Sequence, residues 1–430
     1  VSAAPSETRR LKYAVEGCFN GVWGDDANGV DDLVVARVAD FNRERGCVEF
    51  GDNPTVRAIP QSARNRRVLS KGDLLIEKSG GGEQMPVGNV VLFNDERSAV
   101  CSNFVARMPV AEDCDSRYVS YVFRTLYSEG RNVTHIKQTS GIQNLDSESY
   151  LNEKVWLPSM VDQERIANFL DDKTARIDAL IAEKESLVAA LLEYRKSRIT
   201  EAITKGVRPF SKSKPSGIEW LGNIPAHWEM KKFKHLGEAL IGLTYSPDDV
   251  VDAASGTLVL RSSNVQQGQL CFEDNVYVNA NIPDDLRTRV GDILICSRNG
   301  SRALIGKNAT IGQASAGMTF GAFMTVFRSP FNEFIRWSLN SHLFDFHSAS
   351  FFTSTINQLT TGNLKSIEIP FPPLIERQEI TSYLFEKFEQ IEKLVLHAQL
   401  HVARLREYRS SLISAAVTGQ LDVGAYKDAA

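Results

Sequence analysis

The chain has 430 residues, enough for two or three domains, and its 43% hydrophobic and 24% charged content is that of a soluble globular protein. The formal net charge of −4 argues mildly against a stand-alone nucleic-acid binder, and no run of about 18 apolar residues is present to span a membrane. Six cysteines lie scattered without a C-x-x-C pair, and Val1 to Arg10 lacks the apolar stretch of a signal peptide. Together these favour a reducing cytoplasm over a disulfide framework.

Residues 1–157 read as a first globular segment. Short β-branched runs (Leu33 to Ala36, Asp73 to Ile76, Asn89 to Phe93) alternate with turn signals such as Gly80-Gly81-Gly82, and a helical stretch covers Tyr118 to Tyr127. This is a mixed α+β pattern. Pro158 opens a long helical segment with Asp162 as its expected N-cap, and from Gln163 to Lys205 there is neither proline nor glycine. A helix of that extent spans roughly 60 Å, and Gly206 stops it. A Pro/Ser/Lys-rich linker follows over 208–218. Residues 219–371 form a second globular segment, 372–421 a second long helix from about Glu376 to Thr418, and 422–430 a tail.

The second half repeats the first. Glu193-Tyr194-Arg195 recurs 214 residues later as Glu407-Tyr408-Arg409, and the same offset carries Pro158 onto Pro372, Ile166 onto Ile380, Leu170 onto Leu384 and Thr204 onto Thr418. Lys71-Gly72-Asp73-Leu74-Leu75-Ile76 matches Val290-Gly291-Asp292-Ile293-Leu294-Ile295. The second helix carries a seam at Leu384, Phe388, Ile391, Val395, Ala398, Val402, Leu405 and Leu412, spaced by fours and threes as in a coiled coil. The first keeps Leu170, Ile177, Ile181, Val188 and Leu191, is interrupted by Thr174 and Lys184, and is broadened by Ile166, Leu180, Leu187, Leu192 and Ile199. A helix this long cannot bury its seam alone. The expected architecture is α+β: two mixed α/β domains separated by a pair of long antiparallel helices, related by a pseudo-twofold internal repeat. Such a rod could address two DNA half-sites about 34 Å apart.

Catalytic signatures are missing. There is no G-x-x-x-x-G-K-[ST] loop, no G-x-G-x-x-G fingerprint and no G-x-S-x-G elbow. Asp171-Asp172-Lys173 mimics a nuclease D-x-K but sits on the amphipathic helix, where solvated charge explains it better. His397 and His401 are four apart without a third metal ligand nearby.

The segment Ser216-Gly217-Ile218-Glu219-Trp220-Leu221-Gly222-Asn223-Ile224-Pro225-Ala226-His227-Trp228 resembles the start of the second target-recognition domain of type I restriction–modification specificity subunits. Pro372-Pro373-Leu374 with Gln378-Glu379-Ile380, the stretch from Leu405 to Ile413, and Ala415-Ala416-Val417-Thr418-Gly419-Gln420 look like that family's spacer regions. The first copy departs from the pattern, with Asp162-Gln163-Glu164-Arg165 before Ile166 and no Trp-Leu-Gly at its start. The resemblance implies a non-catalytic, cytoplasmic subunit that reads a bipartite, asymmetric site on double-stranded DNA. It would dock two methyltransferase subunits and, through them, restriction and motor subunits. No cofactor is expected on this chain; S-adenosylmethionine, ATP and Mg would be held by the partners.

Base readout needs Arg, Asn, Gln, Ser or Thr aimed at base edges. The candidates in the first domain are Lys78, Ser79, Gly81, Gln84, Gln143 and Asn144, from the loops 78–84 and 138–144. In the second they are Arg298, Asn299, Ser301, Arg302, Asn357 and Gln358. Arg64, Arg66, Arg67, Arg287, Arg289 and Lys307 are candidates for phosphate contacts that position without specifying. The alternatives are a self-contained DNA methyltransferase or nuclease, and a coiled-coil scaffold that binds no DNA.

Overall fold

The computed structural model describes residues 8–138, 141–209, 212–349, 351 and 358–425. The chain divides into two compact units, Val1–Glu185 with Leu400–Ala430, and Ser186–Gln399. The division runs through both long helices, so each unit owns one globular segment and part of each helix.

In the first unit a six-stranded sheet has the order Phe19–Asn20, Val105–Met108, Leu74–Glu77, Val90–Leu92, Cys47–Val48, Phe41–Asn42. A second sheet pairs Ala99–Cys101 in parallel with Asp32–Ala36, which continues antiparallel to Val56–Ala58. The second unit repeats this plan. Glu238–Ile241, Met324–Arg328, Ile293–Cys296 and Asn308–Thr310 form one sheet, and Thr319–Phe320 pairs in parallel with Thr257–Leu260 in the other. The globular repeat thus extends to strand order and direction, although the connecting loops share little sequence.

Each globular segment is tied off by its own ends. Thr8–Arg10 pairs antiparallel with Lys154–Trp156, and Glu229–Lys232 with Glu368–Phe371. The long helices follow these closing strands as Met160–Lys205 and Leu374–Val417. The first starts earlier than its composition suggests. Ser159 is the cap: its Oγ accepts from the Asp162 amide at 3.3 Å and donates to the Asp162 carboxylate at 2.7 Å, which places Asp162 inside the first turn. Gly206 ends the helix at φ +80°, where a Cβ would also meet the Trp228 ring at 3.3 Å.

Within each unit the two helical segments run antiparallel. In the first, Arg409 grips Asp178 with two bonds of 2.7 and 3.0 Å, and Arg406 reaches Glu185 at 2.9 Å. In the second, Arg195 bonds Glu392 at 3.0 Å and Arg198 bonds the Tyr383 hydroxyl at 3.1 Å. The arginine of the repeated Glu-Tyr-Arg motif therefore does the same work in both copies, because Asp178 and Glu392 are also 214 apart. Val402, Leu412, Ile413 and Ala416 join Ile166, Leu170, Ile177 and Ile181 in the first unit's core, while Leu384 and Phe388 join Ile199 and Ile203 in the second.

Three further expectations are corrected. Thr174 does not interrupt the seam: it is buried, its hydroxyl satisfied by the Leu170 carbonyl at 2.7 Å and the Tyr121 hydroxyl at 3.3 Å. Leu180, Leu187 and Leu192 do not broaden it, since all three are exposed. The 208–218 linker is in part ordered, because Ser213–Pro215 pairs antiparallel with Asn223–Pro225. That hairpin leads to Trp228, which is fully buried and donates from Nε1 to Glu376 at 2.9 Å; His227 Nε2 lies 2.6 Å from the other oxygen of the same carboxylate. The Trp220 to Trp228 motif is thus a clasp between the end of one long helix and the start of the next.

Candidate nucleic-acid interface

The central strand Leu74–Glu77 is buried along its length, and it ends at a charge. Burial raises the Glu77 carboxyl above its ordinary range, opposed by Arg43 at 2.7 Å. Beyond Glu77 the chain turns outward as Ser79–Gly80 and pairs with Gln143–Leu145, which in turn pairs with Ile136–Gln138. The two polar loops singled out in the first domain therefore meet. Asn144 stands opposite Ser79, whose hydroxyl donates to the Asn144 Oδ1 at 2.6 Å, and Lys78 Nζ donates to Asn20 Oδ1 at 2.9 Å. Gly81 has φ +61°, and a Cβ there would lie 2.9 Å from the Val87 nitrogen, so the turn requires glycine. Gln84 is exposed. Gln143 is turned inward: it is buried, and its Oε1 accepts from the Val87 amide at 3.2 Å.

The second domain builds the same junction. Arg298 bridges Gln358 antiparallel, as Ser79 does Asn144. The Leu359 amide donates to the Ser297 carbonyl at 2.7 Å, matching Leu145 to Lys78 at 2.8 Å. The amides of Ser297 and Arg298 both donate to the Phe323 carbonyl at 3.0 Å, and those of Lys78 and Ser79 to the Phe104 carbonyl at 2.8 and 3.2 Å. The Arg298 guanidinium lies over the Phe323 ring, 5.2 Å from its centroid. Asn299 is partly committed, with Nδ2 donating to Ser262 Oγ at 3.1 Å and Oδ1 accepting from the Ser301 amide at 3.0 Å. Ser301 and Arg302 are exposed, at the start of a short 3-10 turn. Asn357, with the run from Thr353, lies outside the described residues.

The basic candidates separate into two kinds. Arg64 binds the Ile59 carbonyl at 2.8 Å and both the carbonyl and carboxylate of Asp31, and Arg67 binds the carbonyls of Asn20 and Ala63. Arg287 likewise donates to the Gly317 carbonyl at 3.2 Å. These guanidinium groups fasten loops. Arg66 and Arg289 are exposed, Arg66 in the left-handed region at φ +57° with its guanidinium 5.5 Å from the Phe19 ring centroid. Lys307 closes the base of the Arg298 loop, its carbonyl accepting from the Cys296 amide at 2.9 Å, and lines a cleft with Leu192, Asn340 and Asp345.

One functional pattern escaped the sequence reading. The buried aspartate of each Gly-Asp repeat holds a partly buried arginine: Asp73 takes Arg107 at 2.6 and 3.2 Å, and Asp292 takes Arg328 at 2.7 and 3.0 Å. Each also accepts a backbone amide from the preceding turn, Ser70 at 2.6 Å and Arg289 at 2.9 Å. The signal was present as the repeated Gly-Asp itself, with an arginine 34 and 36 residues on. Elsewhere, Asp171 is bonded to Arg117 and the Tyr121 hydroxyl, both at 2.8 Å, a structural pairing on the helix. Among the described residues no group of three or more His, Cys, Asp or Glu is placed to hold a metal ion, and no helix is long and apolar enough to cross a membrane.

Comparison with known proteins agrees on one family. Residues 225–401 match the type I restriction modification DNA specificity domain. The type I restriction enzyme MjaVIII specificity subunit of Methanocaldococcus jannaschii is 22% identical over 373 residues, covering 83% of this chain and 80% of the relative. The StySPI specificity subunit of Salmonella potsdam is 26% identical over 212 residues, 46% of this chain and 44% of that one. Among solved structures, a chain described under the structural basis of complex assembly and conformational transition of the type I R-M system aligns over 98% of this chain and 100% of its own, with TM-score 0.64 and 16% identity. The resemblance to type I restriction–modification specificity subunits drawn from the sequence is borne out, and the chain shares the fold of that solved type I R-M chain.

Proposed function

We propose, from the premise that residues 225–401 form a type I restriction modification DNA specificity domain and that the whole chain resembles the specificity subunits, that this protein reads a bipartite DNA site with one half-site per globular domain. The observation that carries the reading is the repeated junction: Ser79 opposite Asn144 in one domain and Arg298 opposite Gln358 in the other. Both pairs offer side chains that suit base edges, amides for adenine and arginine for guanine. Two equivalent junctions with different side chains are what an asymmetric site of two unlike halves requires. The exposed Arg66 and Arg289, at the opposite ends of the central strands, supply phosphate contacts.

The chain acts without catalysis of its own. It docks two methyltransferase subunits and, with them, the restriction and motor subunits, which carry S-adenosylmethionine, ATP and Mg. Sharing phosphate contacts with those partners accounts for a net charge of only −4 on a DNA-reading chain. Single-molecule sequencing of methylated bases, in cells expressing the chain with its methyltransferase partner, tests the reading. A two-part motif with a fixed gap is expected. A continuous motif, or none above the partner-only control, would overturn it, the latter in favour of a scaffold.

A further inference from the structure

We propose that Phe104 and Phe323 are specificity-determining side chains, each contacting the 5-methyl edge of a thymine in the half-site its domain reads. The proposal rests on the reading of one half-site per domain.

Both rings are exposed, at 51% and 58%. Single exposed phenylalanines are ordinary. These two occupy the same place in both copies, 219 residues apart, an offset shared by the Gly-Asp repeats. Each sits in the tight turn between a strand of one sheet and a strand of the other, closed by Val105 N–H to the Ser102 carbonyl at 3.0 Å and by Met324 N–H to the Gly321 carbonyl at 2.8 Å. Neither ring serves a core, so packing does not account for the recurrence.

The turn is a rigid mount. The carbonyl of each phenylalanine accepts two amides from the neighbouring polar loop, and Ser297 Oγ adds a third bond to Phe323 at 2.9 Å. Gly21 and Gly242 press on the two turns from the other side: a Cβ would fall 2.1 Å from the Cys101 carbonyl oxygen in one and 2.2 Å from that of Gly321 in the other. The backbone carrying each ring is therefore fixed beside the loop that offers side chains suited to base edges, Ser79 and Asn144 in one domain, Arg298 and Gln358 in the other. Fixing it in advance lowers the ordering cost of contact. The chemistry is complementary. Arginine and amides reward donors and acceptors in the major groove, whereas the thymine methyl is the one apolar mark there and needs an apolar contact.

The test uses the full chain with its methyltransferase subunit. The methylation map supplies the half-sites, and an A·T pair is expected in each. Duplexes are then made with deoxyuridine replacing one thymine at a time, and binding is measured by fluorescence anisotropy. Loss of one methyl contact should weaken wild-type binding about fourfold at one thymine per half-site. Phe323→Ala should abolish that sensitivity in one half-site only and Phe104→Ala in the other, with Phe→Leu retaining it at each position. A half-site without an A·T pair would overturn the proposal. So would alanine variants that keep full sensitivity to uracil, or that lose affinity for every sequence alike, as expected of a ring wedged between base pairs. Failure of the underlying reading is seen separately, as a wild-type complex with no bipartite site before any phenylalanine is changed.

Discussion

Asp73 and Asp292 are buried, and each serves a turn amide and a partly buried guanidinium, so losing either removes charge-assisted bonds at the start of a central strand. Hydrogen bonds to charged groups contribute about 1.5–3 kcal/mol. Asp73→Ala and Asp292→Ala should each destabilise their unit by about that amount, read as a lowered urea midpoint; a loss under about 1 kcal/mol would mean the pairs contribute little. His347 gives the second unit a pH dependence. Burial holds its imidazole below the ordinary 6.5, opposed by a contact of 3.0 Å with the Glu368 carbonyl. The folded chain therefore takes up this proton less readily than the unfolded chain, and stability is full above that value and falls as pH drops through it. His347→Gln should flatten the fall in urea midpoint between about pH 7 and pH 5.5; an unchanged slope would assign the effect elsewhere. At this scale the sequence is legible only where partners are near. The polar loops could be picked out by composition, but the inward turn of Gln143 depends on Val87, and the engagement of Arg64 on Asp31, partners distant along the chain.

The long helices were the most legible elements, because a seam of fours and threes in a stretch free of proline and glycine has few other readings. What periodicity could not show was the width of the buried stripe. Leu180, Leu187 and Leu192 stay exposed because a single antiparallel partner covers only one face. Nor could it show that the linker folds back as a hairpin, since Pro, Ser and Lys suit either state. The pairing of Arg195 with Glu392 and of Arg409 with Asp178 fixes the register of the helices in each unit. Inserting one heptad into both helices preserves the seam and, on the proposed function, should lengthen the preferred gap between half-sites while leaving their bases unchanged. Methylated-base sequencing of the variant reads this directly, and altered half-site bases would contradict it.

For the molecule as a whole, duplication was readable from the Glu-Tyr-Arg and Gly-Asp repeats, and it reaches further than those residues. Strand order, the parallel pair in one sheet of each unit and the junction of two polar loops recur, although loop lengths differ enough that the offset shifts from 219 at Asp73 to 214 at Leu145. The loops could be matched as loops, but no single alignment register covers both the match of Asn144 with Gln358 and that of their partners Ser79 and Arg298, so the opposed pairs themselves were not legible. On the proposed function, divergent side chains on an equivalent frame are the physical basis for two unlike half-sites. The most direct test is to compare the methylated motif of the wild-type chain with those of Asn144→Ala and Arg298→Ala, each expressed with the methyltransferase partner. The account predicts that each variant relaxes bases in one half of the motif only, a different half for each, with the gap unchanged. Relaxation of the same half by both, or of both halves by either, would contradict one half-site per domain.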